Sequence, residues 1–274
     1  MLVTQSLSGA KPARTQKAGL ALFDLGNTAL KIGLSLPGED MRCYSLPSRE
    51  SQTADSLGLA LLAILDHAGM SGGDLEACVA CSVVPALDPL LREAVGRYLG
   101  CPAYFACQDL PVPLENRYGR PAEVGADRLV GAYAARTIEP EAPAIVVVDF
   151  GTAVTFDCVQ GMAFVGGLIF PGPATALGAL FHNTARLPMV SLAVEPSAPI
   201  VCRDTATSIQ HGLVFGYAAM VEGVCRRLKA QLGPCRVLAA GGFAQEMARF
   251  TDVFDAVRPG LLLDGLRLLY CGQA

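Results

Sequence analysis

A short sequence pattern that occurs twice constrains the fold of this chain more than any other feature. The segment LFDLGNT begins at Leu22, and the related segment VVDFGT begins at Val147. Each copy places an aspartate at the end of an apolar run, then glycine and threonine in a tight turn, and a second strand-like run follows. The repetition predicts two β-hairpins of one design, each opening one of two duplicated lobes.

Helix-like and strand-like segments are mixed after each hairpin, which predicts layered α/β structure. No Pro/Gly/Ser-rich linker separates the halves, so we expect two lobes that pack around a shared cleft. The expected division is a disordered leader at 1–18, an N-terminal lobe at 19–140 and a C-terminal lobe at 141–274. Helices are predicted at 54–68, 89–99, 127–136, 174–181, 205–232 and 261–270, with another from Phe243. Beyond the two hairpins, strands are predicted at 77–84, 103–105, 164–170, 237–240 and 254–256.

Composition excludes several classes of partner. Of the 274 residues, 52% are hydrophobic and 17% are charged, and the net charge is −4 without a block of basic residues. This balance disfavours nucleic acid and anionic membrane surfaces as partners, and the absence of tryptophan disfavours a base-stacking surface. No apolar run reaches the roughly 18 residues of a membrane span, and the polar, basic beginning lacks a signal-peptide core. We therefore predict a cytoplasmic protein.

The ten cysteines are scattered through an apolar chain, which favours reduced core thiols over disulfides. Cys78 and Cys81 form a C-x-x-C that could belong to a zinc or redox site, but no second ligand pair has suitable spacing. The pair lies within ACVACSVV, which predicts a buried strand. The three histidines, His67, His182 and His211, form no metal-binding or nucleophile–base spacing, and we interpret them as structural.

Each hairpin has the residue types that bind the phosphates of a nucleotide. Glycine permits close approach of backbone N–H donors, threonine adds a hydroxyl, and a carboxylate at a strand end can hold a hydrated cation such as Mg²⁺. The alternative for a single copy is an ordinary β-turn. The chain has neither a G-x-x-x-x-G-K-[ST] loop nor a G-x-G-x-x-G fingerprint. The candidate nucleotide-binding residues are Asp24, as a ligand of Mg²⁺ beside the phosphates, and Gly26, Asn27, Thr28, Lys31 and Thr152.

Two further segments carry candidate chemistry. The strand 237–240 runs into Gly241 and Gly242, a turn that could approach the adenosine of a nucleotide, although such a turn alone is weak. Asp127 lies at the start of an apolar helix, where it could be a plain N-cap or a base that accepts the proton of an attacking hydroxyl. Arg128 would then stabilise charge on the transferred phosphoryl group.

Together these motifs resemble the type III pantothenate kinases, also called the Bvg accessory factor family, of the acetate kinase/sugar kinase/Hsp70/actin superfamily. The resemblance covers about residues 20–269. It is carried by D-x-G-N-T-x-x-K from Asp24 to Lys31, by G-x-D-R from Gly125 to Arg128, and by DFGTAVTFD from Asp149 to Asp157. The segment from Gly166 to Pro188 is also similar to the family's.

The resemblance implies actin/ribonuclease-H-like lobes with mixed sheets flanked by helices around a central nucleotide cleft. It implies ATP with Mg²⁺ as phosphate donor, a monovalent cation (potassium or ammonium) at Asp149, and Asp127 as proton acceptor. The reaction would convert pantothenate to 4′-phosphopantothenate, the first step of coenzyme A biosynthesis. The implied pantothenate-binding residues are Tyr118, Gly125, Ala126, Asp127, Arg128 and Thr205.

The family resemblance also implies a homodimer. The predicted helix from Thr205 carries more apolar surface than one lobe needs, so we expect two chains to pair there about a two-fold axis and close each other's pantothenate pocket. The alternative is that this helix is the buried spine of the second lobe.

Three positions depart from the family pattern: Arg120 before Pro121, His211 before Gly212, and Ala240 before Gly241. Alternative functions are a kinase of another small hydroxy metabolite and a catalytically silent nucleotide-binding regulator. The intact Lys31, Asp127 and Arg128 weigh against the second.

Overall fold

The computed structural model describes residues 19–48, 53–184 and 187–272. The leader expected at 1–18 lies outside the described residues. Eleven strands are found in this part of the chain. They are β1 (Gly19–Leu25), β2 (Ala29–Ser35), β3 (Arg42–Pro47), β4 (Leu75–Ser82), β5 (Ala103–Phe105), β6 (Glu115–Asn116), β7 (Ala144–Phe150), β8 (Ala153–Gln160), β9 (Ala163–Pro171), β10 (Arg236–Ala240) and β11 (Ala256–Arg258).

Helices cover the sheets that these strands form. The described α-helices are α1 (Ala54–His67), α2 (Asp88–Ala94), α3 (Ala126–Ile138), α4 (Pro173–His182), α5 (Thr205–Leu232), α6 (Ala244–Met247) and α7 (Leu261–Cys271). None of the helices in the described part of the chain is long and apolar enough to cross a bilayer.

The two sheets repeat one topology. The first has the strand order β3-β2-β1-β4-β5, and the second has the order β11-β10-β7-β8-β9-β6. Strand β1 pairs antiparallel with β2 and parallel with β4, and β7 pairs antiparallel with β8 and parallel with β10. The five-strand order of the first sheet therefore recurs in the second as β9-β8-β7-β10-β11. The predicted fold class and the duplicated design are confirmed.

The central strand of each sheet is apolar because both of its faces are covered. All seven residues of β1 are buried, and in β7 only Asp149 is less than fully buried. A strand covered on both sides reads as a continuous apolar run rather than an alternation. In both strands the aspartate stands near the carboxyl end, where the chain turns into the hairpin.

Two elements cross between the halves of the sequence. Helix α7 packs its apolar residues Leu263 and Leu266 into one core cluster with Leu20 and Leu22 of the first sheet. Strand β6 extends the second sheet by pairing with β9. The expected lobe boundary between residues 140 and 141 stays a prediction, and these two elements join the lobes across it.

Several predicted elements differ in detail from the structure. Strands β3 and β6 were not predicted, because β3 is a largely exposed edge strand and β6 has only two residues. The helix expected at 89–99 ends at Ala94 and continues as a π-helical turn, Val95–Leu99. The strand expected at 254–256 is displaced to Ala256–Arg258.

The C-x-x-C pair lies in a buried strand, as predicted. Cys78 and Cys81 lie in β4 and belong to different core clusters on its two faces, so they do not face each other. The sulfur of Cys78 instead lies 3.5 Å from that of Cys101. All ten cysteines are free thiols.

Candidate active site

Both hairpins open into one cleft of about 490 Å³. Ten of the predicted site residues line it, and they come from β1–β2, α3, β7–β8 and the turn after β10. These residues are Asp24, Gly26, Asn27, Thr28, Lys31, Asp127, Arg128, Asp149, Thr152 and Gly242. The fold thus collects residues that are more than 200 positions apart in the sequence.

In the first hairpin, an ion pair forms across neighbouring strands. Asp24 of β1 stands opposite Lys31 of β2 in the register, and the ammonium lies 3.1 Å from a carboxylate oxygen. Burial raises the pKa of Asp24, and Lys31 partly offsets this. Burial alone would lower the pKa of Lys31, but the charges of Asp24, Asp149 and Asp127 outweigh it and raise that pKa. The lysine is therefore a protonated cation that lines the cleft.

The tips of the two hairpins meet. The hydroxyl oxygens of Thr28 and Thr152 are 3.1 Å apart, although 124 positions separate them. The Thr152 carbonyl accepts hydrogen bonds from the Gly172 amide at 2.9 Å and from the Thr175 hydroxyl at 2.6 Å. These bonds fix the second tip on the beginning of α4, which brings two hydroxyl groups together at the mouth of the cleft.

Asp149 is a carboxyl group of the cleft whose pKa is strongly raised. Its pKa is raised to about 7, chiefly by burial; Lys31 opposes the rise, and the nearby charges of Asp24, Asp157 and Asp127 add to it. The turn after β10 lies directly against it. Gly241 has φ +86°, and a Cβ at this position would collide with the Asp149 carboxylate and with the Phe150 carbonyl. Only glycine fits there, for both conformational and steric reasons.

Asp127 and Arg128 open helix α3. The Arg128 amide donates to the Asp127 carboxylate at 2.8 Å. Burial raises the pKa of Asp127, and this bond and the Arg128 charge oppose the rise. A Cβ at Gly125 would collide with the same carboxylate, so the glycine before the helix leaves room for it.

The Arg128 guanidinium is held from the second lobe. Its Nε donates to Asp157 Oδ1 at 2.6 Å, and the Thr155 hydroxyl donates to Asp157 Oδ2 at 2.8 Å. Burial raises the pKa of Asp157 to about 6 against the lowering effects of Arg128 and Thr155. The Tyr118 ring lies 5.9 Å from the guanidinium carbon. The prediction of Arg128 as a cleft residue did not include this carboxylate partner.

Asp157, Thr155 and Thr175 line the cleft and were not among the predicted site residues. A signal for the first two was present in the sequence. Residues two apart on a strand share a face, so Thr155 and Asp157 of β8 had to point the same way. Their position after the second hairpin tip would have placed them towards the cleft.

Other predicted residues lie outside the cleft lining. Gly125 and Ala126 immediately precede Asp127, Tyr118 contacts Arg128, and Gly241 stands behind Asp149. These four residues adjoin cleft-lining residues, whereas Thr205 does not. It begins α5 and lines a separate open depression of about 690 Å³ together with Leu180 and Cys202. The fold of one chain does not bring Thr205 to Asp127's cleft.

The structure also shows the surroundings of the three residues that depart from the family's sequence pattern. Arg120 is exposed and pairs with Glu123. His211 contacts the Pro199 carbonyl at 2.8 Å. Ala240 is 2% exposed and pairs with Asp149 in the register, so it is a core position of β10.

The family model described as type III pantothenate kinase matches residues 20–227. The chain belongs to the type III pantothenate kinase family. A type III pantothenate kinase of Desulfovibrio desulfuricans is 62% identical over 252 residues, which cover 92% of this chain and 96% of the relative. One of Lawsonia intracellularis is 44% identical over 252 residues, covering 90% and 94%. Membership confirms the resemblance drawn from the motifs, the kinase class and phosphorylation of pantothenate as the function.

Solved structures agree on the fold. A Campylobacter jejuni protein described as a Baf family transcriptional activator aligns with a TM-score of 0.60 at 18% identity, covering 92% of this chain and 98% of that one. An inorganic polyphosphate/ATP-glucomannokinase from Arthrobacter aligns with a TM-score of 0.50 at 14% identity, covering 94% and 100%. At these identities the likeness shows the shared fold alone.

Proposed function

We propose that this type III pantothenate kinase binds the phosphates of ATP between its two hairpin tips and uses Asp127 as the base that activates pantothenate. The observation that carries this proposal is that Asp127 lines the same cleft as Thr28 and Thr152, whose hydroxyls are 3.1 Å apart. Phosphoryl transfer depends mainly on positioning and electrostatics, so donors and base must share one enclosed space. The kinase family implies ATP and a divalent metal ion.

In the first hairpin, the backbone of Gly26 and Asn27 and the Thr28 hydroxyl are donors for the phosphates, and Lys31 is the cation for the terminal one. Asp24 would hold Mg²⁺ with the nucleotide, because carboxylate oxygen is the ligand type that this ion prefers. Thr152 supplies the second tip. Gly241 and Gly242 form the turn at the adenosine side.

Asp127 accepts the proton of the pantothenate hydroxyl as its oxygen attacks the γ-phosphorus. The new P–O bond forms while the bond to the β,γ-bridging oxygen breaks, which releases ADP. Burial raises the pKa of Asp127, and a less acidic carboxyl is a stronger base for this step. Arg128 stabilises the negative charge of the phosphoryl group in transfer.

Asp149 is the proposed ligand of a monovalent cation, potassium or ammonium. Its carboxylate is buried among other carboxylates, and a bound cation would offset the charge that burial disfavours. Within the part of the chain that the structure describes, no three His, Cys, Asp or Glu side chains are grouped as metal ligands. Asp149 would therefore be one ligand in a site completed by other oxygen atoms.

On the pantothenate side, Tyr118 and the loop from Gly125 to Arg128 form one wall. Thr205 lies in a separate depression of the same chain, and exposed apolar side chains surround that region, including Ile200 at 73% and Val201 at 83% exposure. We propose a cytoplasmic homodimer with a two-fold axis near α5, in which the second copy covers this surface and completes the pantothenate pocket.

Light scattering at micromolar concentration tests the dimer. A dimeric mass is expected, and a monomer that phosphorylates pantothenate at full rate would overturn this part of the proposal. The chemistry is tested by coupled ADP release in potassium buffer with and without pantothenate. ADP should appear only with pantothenate; equal release without it would indicate a different acceptor.

A further inference from the structure

A buried ion pair joins helix α3 to the second hairpin. Arg128 of α3 and Asp157 of β8 have side-chain exposures of 8% and 4%, and Nε lies 2.6 Å from Oδ1. The other carboxylate oxygen accepts the Thr155 hydroxyl at 2.8 Å. Both oxygens of Asp157 are therefore held, which fixes the orientation of the carboxylate and of the guanidinium that it binds.

The guanidinium is also flanked by aromatic rings. Its carbon lies 5.4 Å from the centre of the Phe164 ring and 5.9 Å from that of Tyr118. These contacts restrict its movement without satisfying its donors. Among the described residues, Arg128 Nη2 is buried and has no hydrogen-bond partner. A buried unpaired donor is costly, so this atom is a candidate for an anionic oxygen of a bound molecule.

The position of the pair matters for the chemistry. Asp157 lies on β8, which begins directly after Thr152 of the second hairpin tip, and Arg128 directly follows Asp127. The ion pair thus ties the first turn of α3 to the strand that carries one half of the phosphate site. A buried ion pair contributes little to stability compared with apolar side chains of similar size. We therefore interpret the pair as fixing the position of the first turn of α3 relative to β8.

We propose that Asp157 is a positioning residue for phosphoryl transfer. It orients the Arg128 guanidinium so that Nη2 faces an anionic oxygen of the pantothenate or of the phosphoryl group. It also holds the first turn of α3, with Asp127, at a fixed distance from the second hairpin. This inference rests on the roles proposed above for Asp127 and Arg128, and it adds a residue that acts through Arg128.

The first variant is Asp157→Asn, which keeps the size of the side chain and removes its charge. Loss of a charge-assisted hydrogen bond predicts a fall of roughly 10- to 100-fold in kcat/KM for pantothenate. The KM for ATP should stay within about twofold, because the first hairpin and Thr152 are untouched. Asp109→Asn is the matched control: Asp109 pairs with Arg92 at 2.6 Å, and neither residue lines the cleft. The control should keep wild-type kinetics.

A double-mutant cycle with Arg128→Met separates positioning from a purely structural role. If Asp157 acts through Arg128, Asp157→Asn should lower the activity of the Arg128→Met enzyme by less than about twofold. An equal loss in both backgrounds would overturn the proposal. So would a variant with wild-type pantothenate kinetics and only a lower Tm.

Thr155→Val keeps the proposal testable if Asp157→Asn does not fold. It removes one bond to the carboxylate and leaves the ion pair charged, so it should show the same pantothenate-selective loss at about 3- to 10-fold. Unchanged kinetics in this folded variant would count against the proposal. Full activity of Arg128→Met would show that Arg128 is not needed for phosphoryl transfer, and it would overturn both the proposed role of Arg128 and this inference. An inactive Arg128→Met enzyme beside a fully active Asp157→Asn enzyme would overturn the inference alone.

Discussion

The two hairpins share one topology but neutralise their buried aspartates differently. In the first, Asp24 stands opposite Lys31, and the two side chains form an ion pair. In the second, Asp149 occupies the matching position but stands opposite Thr155, which has no charge. The chain itself thus places a positive charge beside Asp24, while burial leaves Asp149 with a pKa raised to about 7.

This difference explains how a duplicated scaffold can form an asymmetric site. The first hairpin carries a fixed positive charge, which in the proposed function meets the nucleotide phosphates. The second supplies negative charge, which a bound cation can offset at Asp149 and which Arg128 offsets at Asp157. The positive charge beside Asp24 therefore comes from the chain itself, whereas a positive charge beside Asp149 would come from a bound cation.

Of the changes that test this comparison in activity, the largest effect is expected when the first hairpin is made to resemble the second. Lys31→Thr removes the cation from the cleft and leaves Asp24 without its partner. Loss of a charge-assisted contact to phosphate should raise the KM for ATP roughly 10- to 150-fold. Steady-state kinetics with varied ATP measure this. Lys229→Thr, on the exposed side of α5, is the control and should behave as wild type. An unchanged KM in Lys31→Thr would mean that the lysine does not meet the phosphates.

A smaller effect is expected when the second hairpin is made to resemble the first, and it is measured through the dependence of the rate on the monovalent cation. Replacing potassium by sodium or tetramethylammonium should lower the wild-type rate about 5- to 10-fold, as is common for a coupled effector. In Thr155→Lys, an ammonium group opposite Asp149 should replace the bound cation and make the rates in the three salts equal. The measured quantity is the ratio of rates between salts.

Thr155→Val is the control for this exchange, because it loses the same hydroxyl without gaining a charge. It should keep the salt dependence of the wild type. Equal wild-type rates in all three salts would rule out the Asp149 site. If the rate of Thr155→Lys depends on the salt as strongly as that of Thr155→Val, position 155 does not play the part in the second hairpin that Lys31 plays in the first.

A third effect concerns the stability of the fold as a function of pH. Burial raises the pKa of Asp157 to about 6 from 3.8, with Asp127 adding to the rise and Arg128 and Thr155 opposing it. A carboxyl with a raised pKa stabilises the fold most when protonated, so its contribution falls as pH rises through about 6. The change is at most about 3 kcal/mol.

Urea unfolding of wild type and Asp157→Asn between pH 4 and pH 8 measures mainly this contribution. Groups away from the cleft titrate alike in both proteins, while Asp149 loses the part of its pKa rise that the charge of Asp157 causes. The free energy of unfolding of the wild type relative to the variant should fall from pH 4 to about pH 6 and then level. A difference that grows with pH would show that Arg128 holds the pKa below its ordinary value.

Local patterns in the sequence predicted much of this arrangement. The apolar runs that end in aspartate and then turn through glycine and threonine predicted the two hairpins, with Asp24 and Asp149 at the strand ends. The repeated motif predicted the duplicated sheets. Asp127 at the start of α3 followed from the apolar periodicity behind it.

Long-range pairings could not be predicted in the same way. The partner of Arg128 lies 29 positions away on strand β8, and only the packing of α3 against β8 shows that they meet. The two-residue strand β6 and the packing of α7 on the first sheet have no local pattern that names their partners. The separation of Thr205 from the cleft depends on the path of the chain before α5.

The central claim is that one cleft binds ATP and that Asp127 activates the acceptor. The most direct measurement compares ATP binding and pantothenate-dependent ADP release in Asp127→Asn and wild type. The variant is nearly isosteric, so its Kd for ATP and its Tm should stay close to wild type. Loss of the base should lower turnover about 10²- to 10⁴-fold. A folded variant that keeps more than about a tenth of the wild-type rate would contradict Asp127 as the base.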